Sequence, residues 1–311
     1  MRLIFFGSSG FAVPVLKSLL ESGHEVLAIV TKSEKPAGRG LKEKPTDIRI
    51  FADSNAPGVK LIQPKKLRDT GFHDELRALG ADIFVVASFP IMPMEVVNIP
   101  AKGCLNVHPS LLPKYRGAAP IRWTLLNGES RTGVSAFFIG GKVDTGSILL
   151  QRETGIDPNE NHDTLHDRLS FIGAEIALES LTLIESGSFK TILQDESLAT
   201  PAPKITKEQL LIDWNRPAVE IHNQIRAFSV NPGAYTVLDG KRLKILKGKI
   251  DLELKLSPFT GICEKKTMYA GCADDSLEIL ELQMEGKKRM TAEAFLIGYK
   301  KDRMQFKMDY D

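Results

Sequence analysis

Cysteine is scarce, and what there is makes no pattern. Cys104, Cys263 and Cys272 are an odd number and form no CxxC unit, which argues against a disulfide scaffold or a zinc ribbon and favours a reducing, cytoplasmic setting. No apolar run is long enough to cross a membrane, and Met1 passes at once into Leu3-Ile4-Phe5-Phe6, which leaves no room for a signal or transit peptide. An excess of one charge is also missing. The 41 Lys plus Arg are nearly matched by 39 Asp plus Glu, for a formal net charge of +2, so any nucleic-acid binding must come from local patches. Nothing suggests disorder: 311 residues with 42% apolar content can hold two domains with real cores.

Two motifs are present only in fragments. Gly7-Ser8-Ser9-Gly10 lacks the third glycine of GxGxxG, and no Asp or Glu ends the next strand to hold a ribose, which speaks against a nicotinamide dinucleotide. His162 and His166 have the i,i+4 spacing of a metal helix, but Asp163 stands where HExxH has Glu. No metal site is expected there. Asp163 or Thr164 should cap a helix running to about Glu185, with both histidines on its surface.

The first half is patterned as an α/β domain. Leu3 to Phe6 reads as a strand, Phe11 to Leu20 as a helix and Val26 to Thr31 as a second strand, the opening of a doubly wound parallel sheet buried on both faces. A helix around Phe72 to Leu79 and a buried strand from Ile83 to Ala87 continue it. After the second strand, Lys32 to Pro45 is a stretch of fourteen residues without apolar periodicity, a length usual for functional or disordered connections. Arg39 stands there between two glycines, where it could meet a phosphate-rich partner.

The chain is organised around Gly103 to Pro120, GCLNVHPSLLPKYRGAAP. Cys104 to His108 alternates with strand period, so Asn106 and His108 share one face. Pro109 and Pro113 then end the strand and open it toward a cleft, where open α/β sheets bind ligands. An amide and an imidazole suit acyl or formyl transfer: the amide can donate to a developing oxyanion, and the imidazole can donate or relay a proton. Ser88 to Pro93 forms an apolar loop at the same sheet end, either a wall for a flat ring or core packing. Asp144 lies among Gly140, Gly141 and Gly146, between strands at Gly133 to Phe138 and Ser147 to Gln151. It is either a turn former or a carboxylate that orients the imidazole or handles an amine proton.

From Gly187 to Lys204 the chain is polar and holds Pro201 and Pro203, the composition of an interdomain connection. Beyond it, Pro217 opens a helix reaching Phe228, and Asp239-Gly240 marks a hairpin. Short strands then recur to Leu282, which suggests a small barrel. Lys241, Arg242, Lys244, Lys247 and Lys249 crowd one hairpin. They either solubilise the surface or make a nucleic-acid platform.

The run NVHPSLLPKYRGAAPI from Asn106, together with Asp144 in VDTG, resembles the folate-dependent formyltransferase family. KPAGRG at Lys35 to Gly40, APKITKEQLLIDW at Ala202 to Trp214 and LQMEGKKRM at Leu282 to Met290 are similar to the members that act on methionyl-tRNA. The resemblance implies a Rossmann-like N-terminal catalytic domain (1–188), a connection (189–208) and a smaller C-terminal OB-like β-barrel that binds tRNA (209–311). It implies a cytoplasmic monomer that moves the formyl group of 10-formyltetrahydrofolate to the α-amino group of methionine on initiator tRNA, with no metal. By motif match Asn106, His108 and Asp144 are the catalytic residues, and Ser110, Leu111, Leu112 and Pro113 contact the folate. Arg39 would reach the acceptor end of the tRNA, and Lys241, Arg242 and Lys244 its phosphates. The rival substrate is an amino sugar nucleotide. Two departures from the family pattern are visible: Ser88-Phe89-Pro90 replaces a Tyr-Gly-Leu-like run, and Lys142-Val143 replaces Gly-Leu before Asp144.

Overall fold

The computed structural model describes residues 1–33, 35–37, 42–299 and 301–309. Contacts divide the chain into two units. The first comprises Met1–Gly117, Arg131–Thr154 and His166–Ala202; the second comprises Ala118–Ser130, Gly155–Leu165 and the chain from Pro203 onward.

Apolar runs make the sheet of the first unit. Leu3, Ile4, Phe5 and Phe6 are fully buried, as are Ile83, Phe84 and Val85, the mark of strands covered on both faces. In spatial order the seven strands are Ile148–Gly155, Arg131–Phe138, Cys104–His108, Ile83–Ala87, Arg2–Gly7, Glu25–Val30 and Lys60–Ile62. The last five run parallel, and Arg131–Phe138 joins antiparallel. This is the expected Rossmann-like α/β architecture. The strand order reverses between Arg2–Gly7 and Ile83–Ala87, and the Ser9 hydroxyl donates to Ser88 Oγ at 2.6 Å between the loops that leave these two strands.

Local signals hold at both ends of the helix Thr70–Leu79. Asp69 Oδ1 accepts from the Gly71 and Phe72 amides, and the helix Thr70–Leu79 closes on Gly80 at φ +61°. The long helix His162–Ser186 corrects the expected cap. Asn161 Oδ1 takes the Asp163 and Thr164 amides at 3.0 and 3.1 Å. The helix thus starts two or three residues earlier than expected, and Asp163 and Thr164 supply the donors of its first turn. His162 and His166 are half-buried beside Asp163 and Asp167. Among the described residues no group of three or more His, Cys, Asp or Glu could hold a metal ion. No described helix is long and apolar enough to cross a membrane.

Two stretches read from composition are more ordered than expected. Lys35–Ala37 pairs antiparallel with Lys42–Lys44; such pairing rests on backbone hydrogen bonds, which leave no apolar period. Arg39 lies outside the described residues. Of the expected connection 189–208, the part up to Ala202 runs along the first unit. Ile192 and Ile148 exchange both backbone hydrogen bonds at 2.8 Å, and Pro201–Ala202 pairs in parallel with Arg116–Gly117.

The second unit is a closed barrel of six strands: Lys241–Asp251, Ala234–Leu238, Arg303–Lys307, Thr260–Glu264, Thr267–Gly271 and Ser276–Met284, the last returning to the first. Asp239 and Gly240 both take positive φ, 49° and 69°, as a two-residue hairpin turn of matching twist requires. Trp214 is fully buried, stacks on Phe306 at 5.1 Å and donates its indole N–H to Thr236 Oγ1 at 3.1 Å. Trp214→Ala is expected to destabilise this unit by about 3–5 kcal/mol, read as a lower denaturant midpoint of the barrel's unfolding.

Candidate active site

The strand Cys104–His108 lies between Ile83–Ala87 and Arg131–Phe138, with Asn106 opposite Phe137 and His108 opposite Ser135. Alternation puts Cys104, Asn106 and His108 on one face. Cys104 gives its thiol to the Val97 carbonyl, and burial pushes its pKa up to about 12. It stays a thiol at neutral pH and is no nucleophile. Asn106 is half-buried, and its carboxamide makes no hydrogen bond among the described residues.

His108 is buried and held at one edge. Its Nε2 lies 3.0 Å from the Tyr115 carbonyl, which can only accept, so Nε2 carries a proton. The other edge, Nδ1, faces Asp144 Oδ2 at 3.8 Å. The turn from Ser110 to Pro113 is fixed from behind. Ser135 Oγ donates to the Ser110 carbonyl at 2.6 Å and accepts from the Leu112 amide at 3.1 Å, while Gln151 Nε2 donates to the Leu112 carbonyl at 2.8 Å. Ser110 and Leu112 are buried; Leu111 and Pro113 are half-buried.

Asp144 arrives from the other end of the strand. Ile139 N–H donates to the Cys104 carbonyl at 2.8 Å, so the loop after Phe138 starts opposite the beginning of Cys104–His108 and doubles back toward its end. The glycines permit this. A Cβ on Gly146 would sit 1.6 Å from the Phe138 carbonyl oxygen. Asp144 has φ +53°, and its Oδ2 accepts the Gly117 amide at 2.8 Å. Gly117 itself has φ +128°, and a Cβ there would lie 2.6 Å from the Ala202 carbonyl oxygen. The aspartate is therefore a turn residue, and its carboxylate is also aimed at His108.

Known proteins share both the sequence and the fold. Residues 1–181 match the model of the formyl transferase family, and residues 204–300 match that of the formyl transferase C-terminal domain. Methionyl-tRNA formyltransferase of Geobacter sulfurreducens is 41% identical over 301 residues, covering 96% of this chain and 94% of its own. The enzyme of the same name from Caldanaerobacter subterraneus subsp. tengcongensis is 41% identical over 302 residues, covering 96% of this chain and 97% of its own. The chain belongs to the methionyl-tRNA formyltransferase family. Two solved structures share the fold at lower identity. An N-formyltransferase from Helicobacter canadensis, in complex with folinic acid and dTDP-3-aminofucose, gives a TM-score of 0.67 at 21% identity over 90% of this chain and 98% of its own. HypX from Aquifex aeolicus, in complex with tetrahydrofolic acid, gives 0.67 at 19% over 95% of this chain and 47% of its own.

In this formyltransferase the remaining residues singled out by sequence fall in two places. Phe89, in the Ser88–Pro93 loop, packs edge-on against Phe6 at 5.3 Å, which is core packing, while Ile91 is 76% exposed. Lys241, Arg242 and Lys244 lie at the start of the barrel's long strand, Lys241–Asp251. The Arg242 guanidinium sits 4.4 Å over the Tyr235 ring, and Lys244 pairs with Tyr235 across the strands. Sequence reasoning missed Gln194, Glu196 and Thr200, which reach the site's loops from the polar stretch before the barrel. Arg116 donates to Gln194 Oε1 at 2.7 Å and to Glu196 at 2.8 and 2.9 Å. The bond from Arg116 holds the Glu196 carboxyl below the usual carboxylate range. No local pattern marks these three residues, because their partners are about 80 positions away in sequence.

Proposed function

We propose that the chain transfers the formyl group of 10-formyltetrahydrofolate to the α-amino group of methionine esterified to initiator tRNA, acting as a cytoplasmic monomer in translation initiation. The carrying observation is 41% identity along 96% of the chain to enzymes of that name, joined to a site with an unengaged amide, an imidazole and a carboxylate. Catalysis belongs to 1–188 and tRNA binding to 209–311, with 189–208 between them.

The amine attacks the formyl carbon, and a new C–N bond forms as the bond to the folate nitrogen breaks. Asn106 donates to the formyl oxygen as it becomes an oxyanion. His108 acts through Nδ1, since its Nε2 proton is engaged by Tyr115. A proton arriving at Nδ1 makes that edge a second donor, with the Asp144 carboxylate opposite to balance the charge. Asp144 and His108 together take the proton shed by the amine and return one to the departing folate nitrogen. The Ser110–Pro113 turn contacts the folate through its backbone, Leu111 and Pro113, because the Ser110 and Leu112 side chains are buried.

An acceptor assay tests this. With 10-formyltetrahydrofolate as donor, methionyl-tRNA should be formylated, and free methionine and amino sugar nucleotides should not. Preferential formylation of the sugar would overturn the reading. Two kinds of tRNA contact are expected to fail differently. Replacing Lys241, Arg242 and Lys244 with Ala should weaken binding to many tRNAs alike and lower the log-log salt slope by about one unit for each phosphate that is no longer neutralised. Arg39→Ala should cut formylation of initiator methionyl-tRNA far more than general tRNA affinity, as removal of a positioning group near the ester would. Uniform loss in both variants, measured on initiator and elongator methionyl-tRNA, would remove this division of labour.

A further inference from the structure

Asp144 is presented by a loop that doubles back along Cys104–His108, and its carboxylate has to be kept in register with His108. Gln194 is placed to do so. Its amide nitrogen donates to the carbonyls of Asp144 and Gly146 at 2.9 and 2.8 Å, which uses both of its protons. Its amide oxygen accepts from Arg116 Nε and Nη2 at 3.0 and 2.7 Å. The residue after Arg116 is Gly117, whose amide holds Asp144 Oδ2 at 2.8 Å. Gln194 thus clamps the two loops whose meeting point is the Gly117–Asp144 hydrogen bond. The segment that carries it is tied down further along: the Arg116 amide donates to the Thr200 carbonyl at 2.9 Å, and the Tyr115 amide donates to Thr200 Oγ1 at 2.9 Å.

We propose that Gln194 is a positioning residue for formyl transfer, fixing the Asp144 carboxylate against His108 Nδ1 through the Asp144 backbone. This rests on the proposed catalytic role of Asp144. The chemistry of the clamp singles out a long carboxamide. One end must accept from a guanidinium and the other must donate to two carbonyls, and only Asn and Gln carry both functions. A glutamate would keep the Arg116 contact as an ion pair but turn an oxygen toward two carbonyl oxygens. A lysine would serve the carbonyls but repel Arg116.

Gln194→Glu and Asp144→Asn, singly and together, form the test, with kcat, both KM values and melting temperature measured on the full chain. Gln194→Glu is expected to keep the melting temperature and to lower kcat roughly tenfold or more with KM for tRNA and folate little changed, the signature of a transition-state loss. In the Asp144→Asn background the same substitution should cost less than about twofold, because its effect runs through a carboxylate no longer there. Gln194→Met, similar in shape but with no donor and only a weak thioether acceptor, should behave like Gln194→Glu on kcat. Wild-type kcat in Gln194→Glu alongside an impaired Asp144→Asn overturns the inference and leaves the catalytic role of Asp144 standing. An equal cost in both backgrounds also overturns it, as independent structural damage would add. Wild-type turnover in Asp144→Asn overturns both.

Discussion

Asn106→Ala is expected to lower kcat by about 10²–10³, the range for loss of one oxyanion donor, while tRNA binding and melting temperature stay near wild type. The expectation of intact folding comes from the structure. The Asn106 carboxamide is half-buried and bonded to no described residue, so its removal orphans no donor or acceptor. The neighbouring strand contacts are made by the backbone, which pairs with Val86 on one side and Phe137 on the other. His108→Ala is a less clean experiment, because it also removes a buried hydrogen bond to the Tyr115 carbonyl. Asn106→Asp sharpens the point: it keeps the shape and replaces the donor with a charged acceptor, so it should be at least as inactive as Asn106→Ala. The variants are to be compared by single-turnover formylation at saturating folate. Near-wild-type rates in Asn106→Ala would remove the residue from the mechanism.

The site was legible in the sequence to the extent that it is local. Asn106 and His108 are two residues apart on a strand, and a period of two places them on one face before any fold is known. Pro109 and Pro113 mark where that strand ends. The sheet was legible for a similar reason, since runs such as Leu3 to Phe6 and Ile83 to Ala87 are apolar throughout and so are covered on both sides. Asp144 was legible in type but not in aim. Three glycines announce a turn, but the 3.8 Å approach to His108 depends on the loop folding back from opposite Cys104, which no spacing encodes. Gln194 was not legible at all: the proline-bearing polar stretch around it has the composition of a connection. Its hydrogen bonds join positions 48 to 78 residues apart. The barrel shows the same boundary. Asp239-Gly240 declares its hairpin, whereas closure depends on Lys241–Asp251 meeting Ser276–Met284, a non-local pairing. At the start of the long helix the sequence pointed to Asp163 or Thr164 as the cap, two or three residues too late. Backbone geometry decided for Asn161.

Asp144→Asn separates the two roles that the sequence left open for this residue, and turnover is expected to fall by about 10²–10⁴, the span of general acid–base contributions. Asparagine tolerates the left-handed conformation as aspartate does, so the turn at φ +53° is retained. Its carboxamide oxygen can still accept the Gly117 amide, so the two loops stay joined. What disappears is the negative charge 3.8 Å from His108 Nδ1 and the capacity to take a proton from the attacking amine. Asp144→Ala lacks this selectivity, since it also leaves the Gly117 amide without its acceptor and strains the turn. The expected pattern is an unchanged melting temperature in Asp144→Asn with a steep loss of kcat and little change in KM for tRNA. A variant that folds, binds tRNA and formylates at the wild-type rate would make Asp144 a turn former only, and the proton of the amine would then need another acceptor.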